Sequence, residues 1–167
     1  DEWLNEQQFP SAVREKISQG VPPTKRMAND VIIALDLKSG KQLWKTTLSG
    51  VPSGRSSSST PCFADEKIFA VGGDRLFCVE AENGRLLWKS PLGTEAVASS
   101  PLFYKGKVFV LANTLRAFDG KTGKQIWENV SVRGKTASPI IWKNQWQTAL
   151  VCNSSKTVFC LNPQTGE

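Results

Sequence analysis

The sequence has 167 residues, 40 % of them hydrophobic and 22 % charged, so wholesale disorder does not describe it. No apolar run approaches the roughly 18 residues needed to span a bilayer, and with no histidine the chain excludes Ser-His-Asp and Cys-His catalysis of its own. The net charge of +6 raises the question of an anionic partner, which the positions of the charges must answer.

The chain begins at Asp1, with no basic start followed by an apolar core, so we expect a start that has been processed or trimmed. Residues 1 to 30 are an N-terminal extension, rich in Gln, Glu and Pro. Ser11 is expected to cap a short helix with Val13 and Ile17 on its apolar face and Gly20 as its stop. Trp3 and Phe9 are expected to anchor this arm. Val21-Pro22-Pro23-Thr24-Lys25-Arg26 reads as an extended linker, because consecutive prolines exclude helix.

From Val31 to Glu167 the chain is strands and turns. Val31 to Leu35 is a strand, Asp36 to Gly40 a turn, and Gln42 to Thr47 a second strand. The next unit runs from Thr60 to Lys89, with turns at Asp65-Glu66 and Gly72-Gly73-Asp74. The third places strands at Pro101 to Tyr104, Lys107 to Leu111, Leu115 to Phe118 and Gln125 to Val130, with turns at Lys105-Gly106 and Ala112-Asn113-Thr114. The fourth starts at Ser138 and turns at Trp142-Lys143-Asn144 and at Asn153-Ser154-Ser155.

One pattern recurs through these units. Ala34 to Trp44, Cys78 to Trp88 and Ala117 to Trp127 share the form small-x-acid-x-x-(Ser/Thr/Asn)-Gly-x-x-x-Trp, and Cys160 to Gly166 begins a fourth copy. The turn glycines are 44, 39 and 43 residues apart, and Pro61, Pro101 and Pro139, each at the start of a strand, are 40 and 38 apart. Four short antiparallel strands per period of about forty residues is the signature of a propeller blade. The fold class is therefore all-β, a β-propeller of four-stranded antiparallel blades with about three and a half blades in residues 31–167. A ring needs roughly four to eight whole blades, so we expect closure by missing sequence or by a second chain.

Each motif position has a structural reading. Gly40, Gly84, Gly123 and Gly166 supply positive φ. Asp36, Asp119 and Asn162 accept hydrogen bonds from amides a few residues on, and Glu80, the one departure, predicts a weaker turn. Trp44, Trp88 and Trp127 are read as packing between adjacent blades rather than as cofactor stacking, because they recur at one motif position. Burying about 200 Å² of indole at about 25 cal/mol per Å² is worth at most about 5 kcal/mol. Lys41, Lys45, Arg85, Lys89 and Lys124 sit where lysine or arginine on an exposed strand blocks strand addition. With no block of five like charges, we expect no nucleic-acid partner.

The three full motifs resemble the tryptophan-docking repeats of the PQQ-like β-propeller superfamily. That superfamily includes quinoprotein alcohol dehydrogenases and non-catalytic propellers such as the scaffold lipoprotein of outer-membrane β-barrel assembly. The resemblance implies a periplasmic or extracytoplasmic location. In the dehydrogenases it would imply PQQ, calcium and a disulfide between adjacent cysteines. Cys62, Cys78, Cys152 and Cys160 are never adjacent, so those features do not carry over, and we assign no catalytic, cofactor-binding or metal residue. Cys78 and Cys160 fall at the motif's small position and suit a buried thiol; a Cys152 to Cys160 disulfide within one hairpin is the alternative.

Two phosphate-loop look-alikes, Gly120-Lys121-Thr122 and Gly134-Lys135-Thr136, are rejected because Leu115 and Asn129 replace the first glycine. Asn129-Val130-Ser131 and Asn153-Ser154-Ser155 are sequons only in a chain secreted by a eukaryotic route. Propeller geometry places a binding site on the loops into each innermost strand and on those joining the second strand to the third. This rim comprises Arg55, Ser57 and Ser59, Glu95, Arg133 and Lys135, with Asp74, Arg75, Asn113 and Lys156. It suits a protein partner with an acidic segment or a small anionic ligand. The leading expectation is a non-catalytic binding or scaffold module; the alternative is a quinoprotein dehydrogenase whose active site lies in other blades.

Overall fold

The computed structural model describes residues 9–20, 26–27, 29–50, 52–53, 58–94, 96–154 and 156–167. It is all-β apart from one helix, α1, over Ser11–Gly20. The amides of Val13 and Arg14 both donate to the Pro10 carbonyl, so Pro10 takes the cap position and Ser11 is the first helical residue, one place later than its hydroxyl suggested. Phe9 is 38 % exposed. Trp3 and residues 21–25 of the proline segment lie outside the described residues, and Arg26 belongs to a short strand.

Among the described residues fourteen extended segments follow. β1 (Arg26–Met27) pairs with β4 (Pro52–Ser53), and β2 (Asp30–Leu35) with β3 (Gln42–Leu48). The first complete blade is β5 (Cys62–Ala64), β6 (Lys67–Gly72), β7 (Arg75–Glu80) and β8 (Leu86–Pro91), hydrogen-bonded in that order and antiparallel throughout. The next contains β9 (Leu102–Tyr104), β10 (Lys107–Asp119) and β11 (Gln125–Gly134). The last contains β12 (Ile140–Lys143), β13 (Thr148–Asn153) and β14 (Val158–Leu161).

β10 is long enough to count as two strands, and it is two. The Gly120 amide donates to the Gly106 carbonyl at 2.8 Å, so the two ends of the segment meet and the chain must fold back between them. The fold is at Asn113, whose φ of 69° is the left-handed conformation that asparagine tolerates. The same bond, Ala81 amide to Glu66 carbonyl, closes the preceding blade. Asp65 and Glu66 both have positive φ, as do Lys105 and Gly106, the requirement of a two-residue hairpin whose twist matches its strands. In the last blade the first turn comes later than the sequence suggested. Trp142 and Lys143 are still strand, and Asn144 Oδ1 gathers the amides of Trp146 and Gln147 to form the loop.

The motif strands share one irregularity. Ala34 pairs with Trp44, Cys78 with Trp88 and Ala117 with Trp127, and in each case the register slips by one residue immediately beyond. The bulge adds a residue just before the tryptophan and re-aims it. A small residue opposite leaves room for the indole.

Blades then pack face to face. One core, between the second and third units, joins Phe69, Leu76 and Cys78 to Val108, Val110 and Phe118. A second joins Phe109, Leu111, Leu115 and Ala117 to Leu150, Cys152 and Leu161. Phe69 stacks on Phe103 with ring centroids 5.4 Å apart and an interplanar angle of 10°.

Candidate functional site

The turns fix one end of each blade. Asp36 Oδ1 accepts from the Ser39 amide and hydroxyl at 2.7 and 2.6 Å, and Asp119 Oδ1 from the Thr122 amide and hydroxyl, both at 2.8 Å. These donors hold both carboxyls below the usual range. Asn162 Oδ1 accepts from the Gln164 amide. Glu80 does something else: it reaches the Arg85 guanidinium at 3.1 Å and the Asn83 side-chain amide at 2.7 Å, and these, Arg85 first, lower its pKa. The backbone bond closing the turn, Gly84 amide to Glu80 carbonyl at 2.9 Å, matches those at Gly40 and Gly123 at 2.8 Å.

Each tryptophan lies against the turn glycine of the following blade. A β-carbon on Gly84 would stand 2.8 Å from Trp44 Cδ2, one on Gly123 2.5 Å from Trp88 Cε3, and one on Gly166 2.7 Å from Trp127 Cε3. Trp44 Nε1 donates to the Ala81 carbonyl at 3.0 Å and Trp88 Nε1 to the Gly120 carbonyl at 3.3 Å. Trp127 Nε1 is buried without an acceptor. Gly40 has the motif conformation, with φ of 67°, but nothing lies within 4 Å of its β-position.

At the opposite end are the loops that sequence reading named as a rim. Arg75 is half-buried and its Nε lies 3.2 Å from Asp74 Oδ1, so its charge is already partnered. Arg133 is exposed, and its carbonyl accepts the Ser154 hydroxyl at 2.7 Å. The Lys135 carbonyl accepts the amides of Ala98 and Ser99 at 2.8 and 2.9 Å. These bonds tie the loop leading into β12 to its neighbours on either side and hold Arg133 on a fixed backbone. Lys156 is exposed in the next turn. Ser59 is half-buried and, with Asp30 and Gly72, lines a cleft of about 330 Å³. Asp30 has its pKa raised, by burial first and then by the nearby Asp74. Arg55, Ser57 and Glu95 lie outside the described residues.

A family model described as outer membrane protein assembly factor BamB matches residues 28–167. The chain belongs to this family of PQQ-like β-propeller repeats. The crystal structure of BamB from Moraxella catarrhalis shares the fold with a TM-score of 0.64 at 18 % identity, over 82 % of this chain and 45 % of that one. Among curated relatives, lupanine 17-hydroxylase [cytochrome c] of a Pseudomonas species is 29 % identical over 164 residues, covering 84 % of this chain and 22 % of its own. Quinohemoprotein alcohol dehydrogenase ADH IIB of Pseudomonas putida is 28 % identical over 129 residues, covering 65 % and 18 %. The chain thus spans about a fifth of the length of these curated relatives.

Two sets of residues in these BamB-family repeats were missed by sequence reading. Thr46, Ser90 and Asn129, each two residues beyond a tryptophan, donate to the carbonyls of Gly84, Gly123 and Gly166, all at 2.6 Å. The signal is visible as Trp-Lys-Thr, Trp-Lys-Ser and Trp-Glu-Asn. Asn129 is therefore held inside a joint, which removes its sequon as a surface feature. At the starts of the first strands, Ser100 Oγ accepts the Thr60 amide at 2.8 Å and Ser138 Oγ the Ser100 amide at 2.9 Å. The residue before each strand-opening proline thus stitches its blade to the next.

The cysteines are all free thiols. Burial pushes Cys78 up to about 12 and Cys152 up to about 11. Cys160 is exposed, unlike its motif counterpart Cys78, because no strand pairs with the outer edge of β14 among the described residues.

Proposed function

We propose that this chain is part of a non-catalytic PQQ-like propeller acting outside the cytoplasm as a protein-binding scaffold. The observation that carries the reading is the loop end: Arg133, at the end of β11, and Lys156, in the next turn, are exposed cations, and the Arg133 carbonyl is held by the Ser154 hydroxyl. Pre-organised cations favour capture of an acidic segment of a partner protein, because little ordering entropy is spent on binding. The match to an assembly factor over residues 28–167 supports the same class of role.

A fluorescein-labelled glutamate-serine peptide titrated into the chain at low salt tests this. Binding should weaken about tenfold or more in the double variant Arg133→Glu, Lys156→Glu, and fall with added salt. An affinity unchanged by the reversal would remove the proposal.

The second reading, a segment of a quinoprotein dehydrogenase, is favoured by the two curated relatives. The described residues do not fit PQQ with calcium. Asp36, Asp119 and Glu80 are engaged in their turns and Glu128 with Thr114 and Arg116. No group of three His, Cys, Asp or Glu side chains that would hold a metal occurs among them. Any such chemistry would belong to other blades. Dye reduction by the whole protein that required both the quinone and calcium would select this reading over the first.

A further inference from the structure

A cleft of about 330 Å³ lies between the β2–β3 pair and the blade that follows it. Its walls are largely apolar, with Ile32, Leu48, Ala70 and Phe77 among them, and the last three are buried. Of the described residues that line it only Asp30 is charged, and Ser59 is the other polar side chain. Asp30 is half-buried with its carboxyl on the bare face of Gly72, where a β-carbon would stand 2.4 Å from the Asp30 Cγ. The carboxyl occupies the space that glycine leaves.

This carboxyl has no cation beside it. Asp30 and Asp74 hold the same repeat position, each four residues before the motif's small residue, Ala34 or Cys78. Asp74 is paired with Arg75, the residue after it, at 3.2 Å. The residue after Asp30 is Val31, and among the described residues neither an ion pair nor a hydrogen bond reaches the Asp30 side chain. Burial and repulsion from Asp74 both oppose its negative charge. Such a carboxylate costs the fold stability, and a ligand bringing the missing positive charge would offset that cost.

The walls narrow the chemistry further. An anion is repelled by the two carboxylates. A hard metal ion needs several oxygen ligands, and no group of three His, Cys, Asp or Glu side chains gathers among the described residues. An organic cation satisfies both halves of the cleft, its charge meeting the carboxylate and its hydrocarbon meeting the walls. We propose that this cleft binds a small organic cation, a protonated amine on a compact hydrocarbon body, with Asp30 as its counter-ion and Gly72 as the residue that admits the carboxyl. The site is separate from Arg133 and Lys156 and does not depend on an acidic partner binding there.

The test titrates benzylammonium chloride into the isotope-labelled full chain and follows the NMR signals of Leu48, Ala70 and Phe77. Millimolar benzylammonium should shift them, and Asp30→Asn, which keeps the fold and removes the unpaired charge, should weaken binding about tenfold or more. Gly72→Ala should weaken it too, because the backbone there is not left-handed and accepts alanine, while the new β-carbon displaces the carboxyl. Benzyl alcohol, the same body without the charge, should bind about tenfold more weakly than the amine. Absence of shifts, equal binding of benzyl alcohol, undiminished affinity in Asp30→Asn, or displacement of the amine by equimolar calcium would each overturn the proposal.

Discussion

Trp44 lies across Gly84 of the next blade, its Nε1 bonded to the Ala81 carbonyl at 3.0 Å while Thr46 Oγ1 bonds the Gly84 carbonyl at 2.6 Å. Two residues of one strand, two positions apart, thus hold three features of one turn: its second residue, its glycine face and its glycine carbonyl. The bulge before Trp44 brings the indole to that place, and the glycine leaves the place empty for it.

Substituting the glycines separates conformation from packing. Gly40 and Gly84 have φ of 67° and 75°, so alanine at either incurs the left-handed penalty, about 1 kcal/mol. Only at Gly84 does the new β-carbon also meet an indole and the Thr46 hydroxyl, at 2.8 and 2.5 Å. Gly84→Ala should therefore cost about 2 to 3 kcal/mol more than Gly40→Ala in urea unfolding, the range of overpacking. Equal costs would show that the indole yields freely.

The indole donors differ in a way that mutation can read. Trp44→Phe keeps an aromatic ring but leaves the Ala81 carbonyl without its 3.0 Å donor. Trp127→Phe removes a buried N–H that has no acceptor. Losing an unmade donor is nearly neutral, whereas losing a made bond costs about 1 kcal/mol. Trp44→Phe should be the more destabilising by about that amount in thermal or urea unfolding.

The architecture was legible because the repeat reports itself: the glycine and proline periods set the blades, and Asn113 marked a turn inside what is otherwise one long strand. The joints were only half legible. Trp44, Trp88 and Trp127 stand out as large residues at a fixed place, but Thr46, Ser90 and Asn129 are three different residue types, and what they share is a bond to a glycine 38, 33 or 37 positions away in the chain. Likewise Ser100 and Ser138 precede the strand-opening prolines without a signal of their own, since nothing in one strand shows the amide of its neighbour. The rim was legible as a set of loops, not as geometry. Arg75 turned out to be paired with Asp74, while Arg133 and Lys156 stay exposed.

Acid stability follows from the carboxylates. Ser39, Thr122, Arg85 and Thr114 donate to Asp36, Asp119, Glu80 and Glu128 and lower their pKa values. A carboxyl with a depressed folded pKa adds stability above its unfolded value, near 4, and that stability is lost as pH falls through the folded value. Asp30 has the opposite sign: its raised pKa makes the folded state lose stability as pH rises through it. Asp30→Asn should raise Tm at pH 7 and leave it nearly unchanged at pH 3, whereas Asp119→Asn should lower Tm at pH 7. A Tm lowered equally at both pH values by Asp30→Asn would contradict the assignment.

The thiols give a reactivity order. At pH 8 the exposed Cys160 should react first with a thiol reagent and the half-buried Cys62 next. Cys78 and Cys152, pushed up to about 12 and about 11 by burial, should react only on unfolding. Mass spectrometry after timed alkylation reads the order, and native labelling of Cys78 as fast as that of Cys160 would contradict the packing of β7.

The claim that a tryptophan on a glycine makes each joint is tested most directly by a double-mutant cycle on Trp44→Ala and Gly84→Ala, measured by urea unfolding. If the indole occupies the space above the glycine, the cost of Gly84→Ala should fall from about 3 to 4 kcal/mol in the native background to about 1 kcal/mol, the conformational part alone, once the indole is gone. An undiminished cost in the Trp44→Ala background would show that the two residues do not meet, and would contradict the account.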